Sequence, residues 1–452
     1  MASVVFPTAA PAPVAKENIE ERYSKWRWYA LGGAYIGYVA AYWVRNNFAF
    51  ASPNLVSDLH FSKTEIGLLS SCLLIAYGLS KGVMASVADK ANPRYFLALG
   101  LLLSVAANIL LGMTSSFWLL AVLLAVNGIF QGMAVGPCFI LLASWFPRSI
   151  RGTMTAVWNT SHNVGAGMVA PIAAVAVALG WSDWRVGAFF LPAALATVVA
   201  VLVAIFGVGT TYQEGLPPVQ KIRPEATELV AANSEEAERA RSMTSWELFK
   251  QYVLPNRGVW FVSLVDVFVY VLRFGMITWM PLYLLQQKGF TKTQMAVAFL
   301  VFEWAAIPAT LFSGVISDKY FKGKRMPLAI IAMSLILIGL YFYGRSGDVL
   351  TVSIAAAFVG SLVYVPQFLA SIQTIELVPP FAVGSAVGLR GFMSYIFGSV
   401  GGTALIGLLV DSFGWDAGFY VLLVAALACI LFCVLTHREV LAIERRNAAK
   451  TA

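Results

Sequence analysis

Four basic residues lie inside long apolar stretches of this 452-residue chain: Arg45, Lys81, Arg273 and Arg390. A cation at the centre of a bilayer costs about 2.5–3.5 kcal/mol on insertion scales, so each needs a reason to be there. Arg45 follows Tyr38 and Tyr42 at spacings of seven and three, which puts all three on one helix face. Asp266, Tyr270 and Arg273 repeat the spacing. Tyrosine hydroxyls one turn away add hydrogen bonds, and the planar guanidinium fork matches phosphate oxygens bidentately. The bland alternative for Arg45 is a residue marking the outer interface. Lys81 shares a face with Tyr77 at i, i+4, and Arg390 stands among Gly384, Gly388, Gly391 and Gly398. Either could instead snorkel to a membrane surface. His162 has Trp158 and Asn159 on its own face and titrates near neutral pH. It reads equally as a ligand group or as a satisfied hydrogen-bonding residue.

Acidic residues are unevenly placed. The first half has none deep in an apolar run, whereas the second offers Asp266, Glu303 and Glu376. Glu303 and Asp266 are candidates for ion pairing or gating. The excess of cations suits a di- or trianion, repels metal cations, and leaves too few carboxylates for a proton relay. Walker A, metal-spaced His/Cys/Asp clusters and nucleophile motifs such as GxSxG are absent, so neither an enzyme nor a cofactor is expected. The cysteines Cys72, Cys138, Cys429 and Cys433 sit in apolar runs and read as packed thiols.

The elements that position these residues are membrane helices. Only 12% of residues are charged, 59% are hydrophobic, and the mean hydropathy is +0.75, which excludes both an ordinary soluble enzyme and a disordered chain. Twelve runs approach the length that spans a bilayer: about 27–51, 66–88, 95–113, 117–141, 152–179, 185–207, 257–286, 294–316, 327–344, 350–373, 382–410 and 416–436. The stretch Met1–Ala15 shows no signal peptide. Basic residues cluster in alternate loops (Lys16 to Arg27, Lys90 and Arg94, Arg148 and Arg151, Lys319 to Arg325, Arg438 to Lys450), which predicts cytoplasmic termini. The net charge of +8 is therefore topological and implies no nucleic acid.

A polar segment at 208–256, rich in Glu225, Glu228, Glu235, Glu236 and Glu238, reads as a linker between two six-helix halves, 1–207 and 257–452. At its end Trp246, Phe249, Tyr252 and Val253 share a helical face, which suits either an interfacial helix or a plain tether. The halves repeat. Tyr42-x-x-Arg45 recurs as Tyr270-x-x-Arg273, Asp89-Lys90 as Asp318-Lys319, and His162-x-x-Gly165 as Tyr395-x-x-Gly398, at offsets of 228, 229 and 233. Parallel six-helix halves with a midplane site between them are a transporter architecture. Gly-rich runs in the fifth and eleventh spans read first as close helix packing.

At these residues the chain resembles the organophosphate:phosphate antiporters of the major facilitator superfamily. The resemblance covers nearly the whole chain. It is carried by Val44-Arg45-Asn46-Asn47-Phe48, Ala76-Tyr77-Gly78-Leu79-Ser80-Lys81, Trp158-Asn159-x-x-His162-Asn163-Val164-Gly165, Tyr270-x-x-Arg273 and Trp415-Asp416-x-Gly418-Phe419. It implies an all-α membrane fold of twelve helices and phosphate ligation by Arg45 and Arg273. Tyr38, Tyr42, Tyr77, Lys81, Asn159, His162, Tyr270, Tyr364 and Tyr395 would line the cavity. Asn46 stands where glycerol-3-phosphate and hexose-phosphate carriers usually have Lys, and Thr278 where they carry Asp. The segments Ser263–Phe268, Phe302–Pro308 and Ser385–Tyr395 are most similar to the branch that carries phosphoglycerates. The expectation is a monomeric exchanger of inorganic phosphate for phosphoglycerate or phosphoenolpyruvate in a bacterial inner membrane, working by alternating access. Arg390 would meet the substrate carboxylate. The alternatives are a glycerol-3-phosphate or hexose-phosphate antiporter, or a non-transporting organophosphate receptor.

Overall fold

A computed structural model describes residues 5–6, 14–15, 18–222, 243–379 and 382–451. The acidic part of the linker, Lys16 and most of Met1–Ala15 lie outside the described residues. The regular structure of the described residues is helical: α1 (Ile19–Trp43), α2 (Asn47–Leu59), α3 (Lys63–Ala88), α4 (Pro93–Gly112), α5 (Phe117–Trp145), α6 (Arg148–Ala178) and α7 (Val186–Phe206) in the first half. The second half holds α8 (Arg257–Gln286), α9 (Lys292–Phe321), α10 (Arg325–Arg345), α11 (Val349–Glu376), α12 (Val383–Phe413) and α13 (Trp415–Arg446). Eleven of these, α3 to α13, are long and apolar enough to cross a membrane. The first expected span differs. It is two helices, α1 and α2, separated at Val44–Asn46, and α1 is rich in Trp, Tyr and Gly, which lowers its hydropathy.

Local chemistry sets the helix ends. Asn92 caps α4 by accepting from Arg94 N–H, with Pro93 in the first turn, where its missing N–H costs nothing. Thr291 and Gln294 form a reciprocal capping box on α9, and Asp348 accepts from the Leu350 and Thr351 N–H groups of α11. The Thr351 hydroxyl, together with those two N–H groups, holds the Asp348 carboxyl below its usual pKa. Gly414 ends α12 with φ at +81°, a conformation open to glycine.

Two compact units result: Met1–Asn54 with Cys72–Glu228, and Leu55–Ser71 with Leu229–Ala452. The second therefore includes the start of α3, where Asp411 accepts from the Lys63 and Thr64 N–H groups at 3.2 and 2.6 Å. In the first unit α1 packs along α6. A Cβ on Gly165 would stand 2.5 Å from the Val39 carbonyl oxygen and 2.8 Å from Tyr42 Cβ. In the second unit a Cβ on Gly398 would meet the Val267 carbonyl oxygen and Tyr270 Cβ, each at 2.6 Å. Val39 to Val267 and Tyr42 to Tyr270 are both offsets of 228, so the repeat has the same contact geometry in both units.

One detail departs from expectation, and a second chooses between two readings. Glu376 is not deep in a span: it ends α11, where Arg325 donates to it at 2.8 Å. The segment Ser245–Val253 is helical and more than a tether. Trp246 is exposed and stacks on Phe249, while Val253 is buried with Val259, Val378, Ala382 and Ala386.

Candidate functional site

In the first unit an aromatic cage surrounds a buried guanidinium. Arg45, 3% exposed, sits 3.9 Å from the Tyr42 ring centre and 4.5 Å from that of Tyr77. Both rings offer negative faces to the charge, which stabilises it where water cannot. Tyr38 packs against Tyr42 at 5.4 Å and Trp158 at 4.8 Å. His162, buried, faces Tyr42 at 5.8 Å between ring centres. Tyr38, Tyr42, Arg45, Tyr77 and His162 thus form one cluster on α1, α3 and α6 and the break after α1. Lys81, one turn along α3 from Tyr77, is half-buried and has no ion-pair partner among the described residues. Asn159 is half-buried and makes no side-chain hydrogen bond among the described residues.

The second unit repeats the cage with different companions. Arg273 lies 4.6 Å from the Tyr364 ring centre, 5.5 Å from Phe274 and 6.0 Å from Tyr270, and donates to Gln367 Oε1 at 3.3 Å. Tyr364 in turn donates to Glu303, a fully buried carboxyl, at 2.9 Å. Tyr270 meets Tyr395 edge-to-face at 5.1 Å, the counterpart of the Tyr42–His162 contact. Arg390 is not a bare cation. Its Nη1 donates to Asp266 Oδ2 at 2.7 Å, and Ser394 Oγ donates to the same oxygen at 2.8 Å. Chemically, the first unit offers a caged arginine and an unneutralised lysine. The second offers a caged arginine and a cation already held by a carboxylate.

The family model of the Major Facilitator Superfamily matches residues 34–402. The chain belongs to the major facilitator superfamily. Like other major facilitator proteins it is a multi-pass membrane protein and not an enzyme. It is 54% identical, over 96% of this chain and 94% of the relative, to the phosphoglycerate transporter protein of Salmonella typhimurium. It is 38% identical to the glycerol-3-phosphate transporter of Bacillus subtilis, over 94% of this chain and 96% of that one. Among solved structures, a bacterial homologue of the human lysosomal transporter Spinster matches with a TM-score of 0.68 at 15% identity, covering 92% of this chain and 96% of that one. That likeness establishes the major facilitator fold.

Sequence reasoning missed Ser394 and Gln367. Both carried a helical signal: Ser394 is four residues after Arg390, and Gln367 three after Tyr364. It also missed the polar side chains around Val44, treated below.

Proposed function

We propose that this major facilitator protein exchanges inorganic phosphate for a phosphorylated three-carbon acid, phosphoglycerate or phosphoenolpyruvate. The observation that carries the reading is the pair of aromatic-caged, buried arginines, Arg45 and Arg273, at equivalent positions of the repeat. The 54% identity to a phosphoglycerate transporter protein supports the choice of substrate. Arg45 and Arg273 are the phosphate ligands, with Tyr38, Tyr42, Tyr77, Asn159, His162, Tyr270, Tyr364 and Tyr395 orienting the anion. Arg390, assisted by Lys81, takes the carboxylate. Asp266 holds Arg390 in the structure, so a substrate carboxylate displaces one carboxylate with another. Inorganic phosphate has no such group and leaves the pair closed. The unit works as a monomer in the bacterial inner membrane with both termini cytoplasmic.

The test is phosphate self-exchange in proteoliposomes, competed with 3-phosphoglycerate, phosphoenolpyruvate, glycerol-3-phosphate and glucose-6-phosphate. Strong competition and counterflow by the first two alone is the expected result. Preference for either of the others would discard the substrate, and binding without any exchange would favour a receptor.

A further inference from the structure

Span 1 leaves the helix just where it carries Arg45: α1 stops at Trp43 and α2 starts at Asn47. Helix breaks usually come from Pro or Gly, and Val44-Arg45-Asn46 contains neither. The Arg45 and Asn46 N–H groups both turn back to the Tyr42 carbonyl, at 3.4 and 3.0 Å. What holds the break is a set of side chains from other helices. Asn108 Nδ2 of α4 and Asn127 Nδ2 of α5 each donate to the Val44 carbonyl oxygen at 2.8 Å, using both of its lone pairs. Asn47 Nδ2 donates to Asn108 Oδ1 at 2.6 Å and to the Ala188 carbonyl at 2.7 Å, so it fixes the orientation of Asn108. Asn108 Nδ2 also reaches the Ser104 carbonyl at 2.9 Å. All three asparagines are at most 2% exposed.

Non-helical backbone at membrane depth persists only where protein satisfies it, and buried amides are costly unless bonded. Two amides spent on one carbonyl, with a third holding one of them in place, therefore serve that carbonyl. The second half makes no such provision. Its Arg273 projects from α8, which runs unbroken from Arg257 to Gln286, and the helices corresponding to α4 and α5, namely α10 and α11, contain no asparagine.

We propose that Asn108 and Asn127, locked by Asn47, are positioning residues for Arg45. By clamping the Val44 carbonyl they fix the backbone kink from which the guanidinium enters the Tyr42–Tyr77 cage. The inference rests on the reading of Arg45 as a phosphate ligand and adds the device that aims it. The experiment is the KM and maximal rate of phosphate self-exchange in proteoliposomes, for the full chain and for Asn127→Leu, Asn108→Leu and Arg45→Lys. Each asparagine variant is expected to raise KM for phosphate about tenfold or more, as loss of a residue that orients a ligand group does, with the maximal rate largely kept. A purely structural defect would lower the folded amount and the maximal rate while leaving KM alone, and that result overturns the proposal. An unchanged KM in both asparagine variants, beside a raised KM in Arg45→Lys, also overturns it while sparing Arg45. A wild-type KM in Arg45→Lys removes Arg45 as the ligand and fails the underlying reading instead. Where a leucine variant does not fold, Asn127→Ser, smaller and without the reach to the Val44 carbonyl, is judged by the same KM.

Discussion

Replacing Asp266 by Asn separates the two jobs of the Asp266–Arg390 pair. The carboxylate is 1% exposed and accepts from both Arg390 and Ser394, so removing its cation leaves a buried charge. Breaking a buried pair from one side costs about 3–5 kcal/mol, which is the destabilisation expected of Arg390→Leu. Asp266→Asn costs less, because the Arg390 side chain keeps 12% exposure and the amide oxygen can still accept its hydrogen bond. Its effect on ligand binding has the opposite sign. In the native protein the substrate carboxylate must take Arg390 from Asp266, and a charge-assisted hydrogen bond contributes about 1.5–3 kcal/mol. Weakening the competitor returns part of that, so 3-phosphoglycerate should compete with labelled phosphate at about tenfold lower concentration in Asp266→Asn. The KM for phosphate itself should barely move, since phosphate never opens the pair. The double variant Asp266→Asn with Arg390→Leu should recover most of the stability lost by Arg390→Leu yet keep the poor competition by 3-phosphoglycerate. If Asp266→Asn and Arg390→Leu weaken 3-phosphoglycerate and phosphate to the same degree, the pair is a structural tie and the reasoning is wrong.

Arg45→Lys and Arg273→Lys keep the charge but lose the planar fork and the ring contacts. Each should cost about 2 kcal/mol of phosphate affinity, roughly 30-fold, measured as KM in self-exchange. Gly165→Ala and Gly398→Ala push a methyl group into the Val39 and Val267 carbonyls, so each should lower stability by about 1–3 kcal/mol in a thermal melt, and Gly398→Ala should do so as strongly as Gly165→Ala. Tyr364→Phe takes a hydroxyl from the buried Glu303 carboxyl and should destabilise by about 1–3 kcal/mol, whereas Glu303→Gln, which keeps an acceptor, should cost less in the same melt. Lys81→Gln removes a charge that has no acidic partner among the described residues, so net phosphate efflux into phosphate-free buffer should speed up relative to exchange; an unchanged ratio would remove Lys81 from the coupling.

The features legible in the sequence were those written twice. The Tyr-x-x-Arg pair located both cages, and the Gly165 and Gly398 positions proved to be matched helix contacts on Val39 and Val267. Features made by single distant partners were not legible. Nothing in the composition joins Asp266 to Arg390, 124 residues away, and no local signal marks the break at Val44, because its cause lies on α4 and α5. Glu376 was misplaced for a related reason: the apolar run of α11 leads straight up to it, and only Arg325, on α10, shows that the helix ends there.

On the proposed reading, the charges within the spans favour exchange of anions over leak. Deep in its spans the second half sets Arg273 and Arg390 against Asp266 and Glu303, so the formal sum of these four is zero. The first unit carries Arg45 and Lys81 with no acid deep in any span, which leaves two positive charges. A phosphate dianion cancels them, and an empty protein carries them uncompensated through any rearrangement in an apolar medium, where charges are costly. Exchange is then expected to be faster than net flow, because some dianion would be present on every crossing. A phosphorylated acid adds one more negative charge, and among the described residues Arg390 is a buried-span cation whose carboxylate partner a substrate carboxylate could replace. On the proposed reading, Asp266 is accordingly the residue on which the choice between phosphate and phosphoglycerate turns, although it binds neither. It decides how much of the carboxylate's interaction with Arg390 is left over after the native pair has been opened.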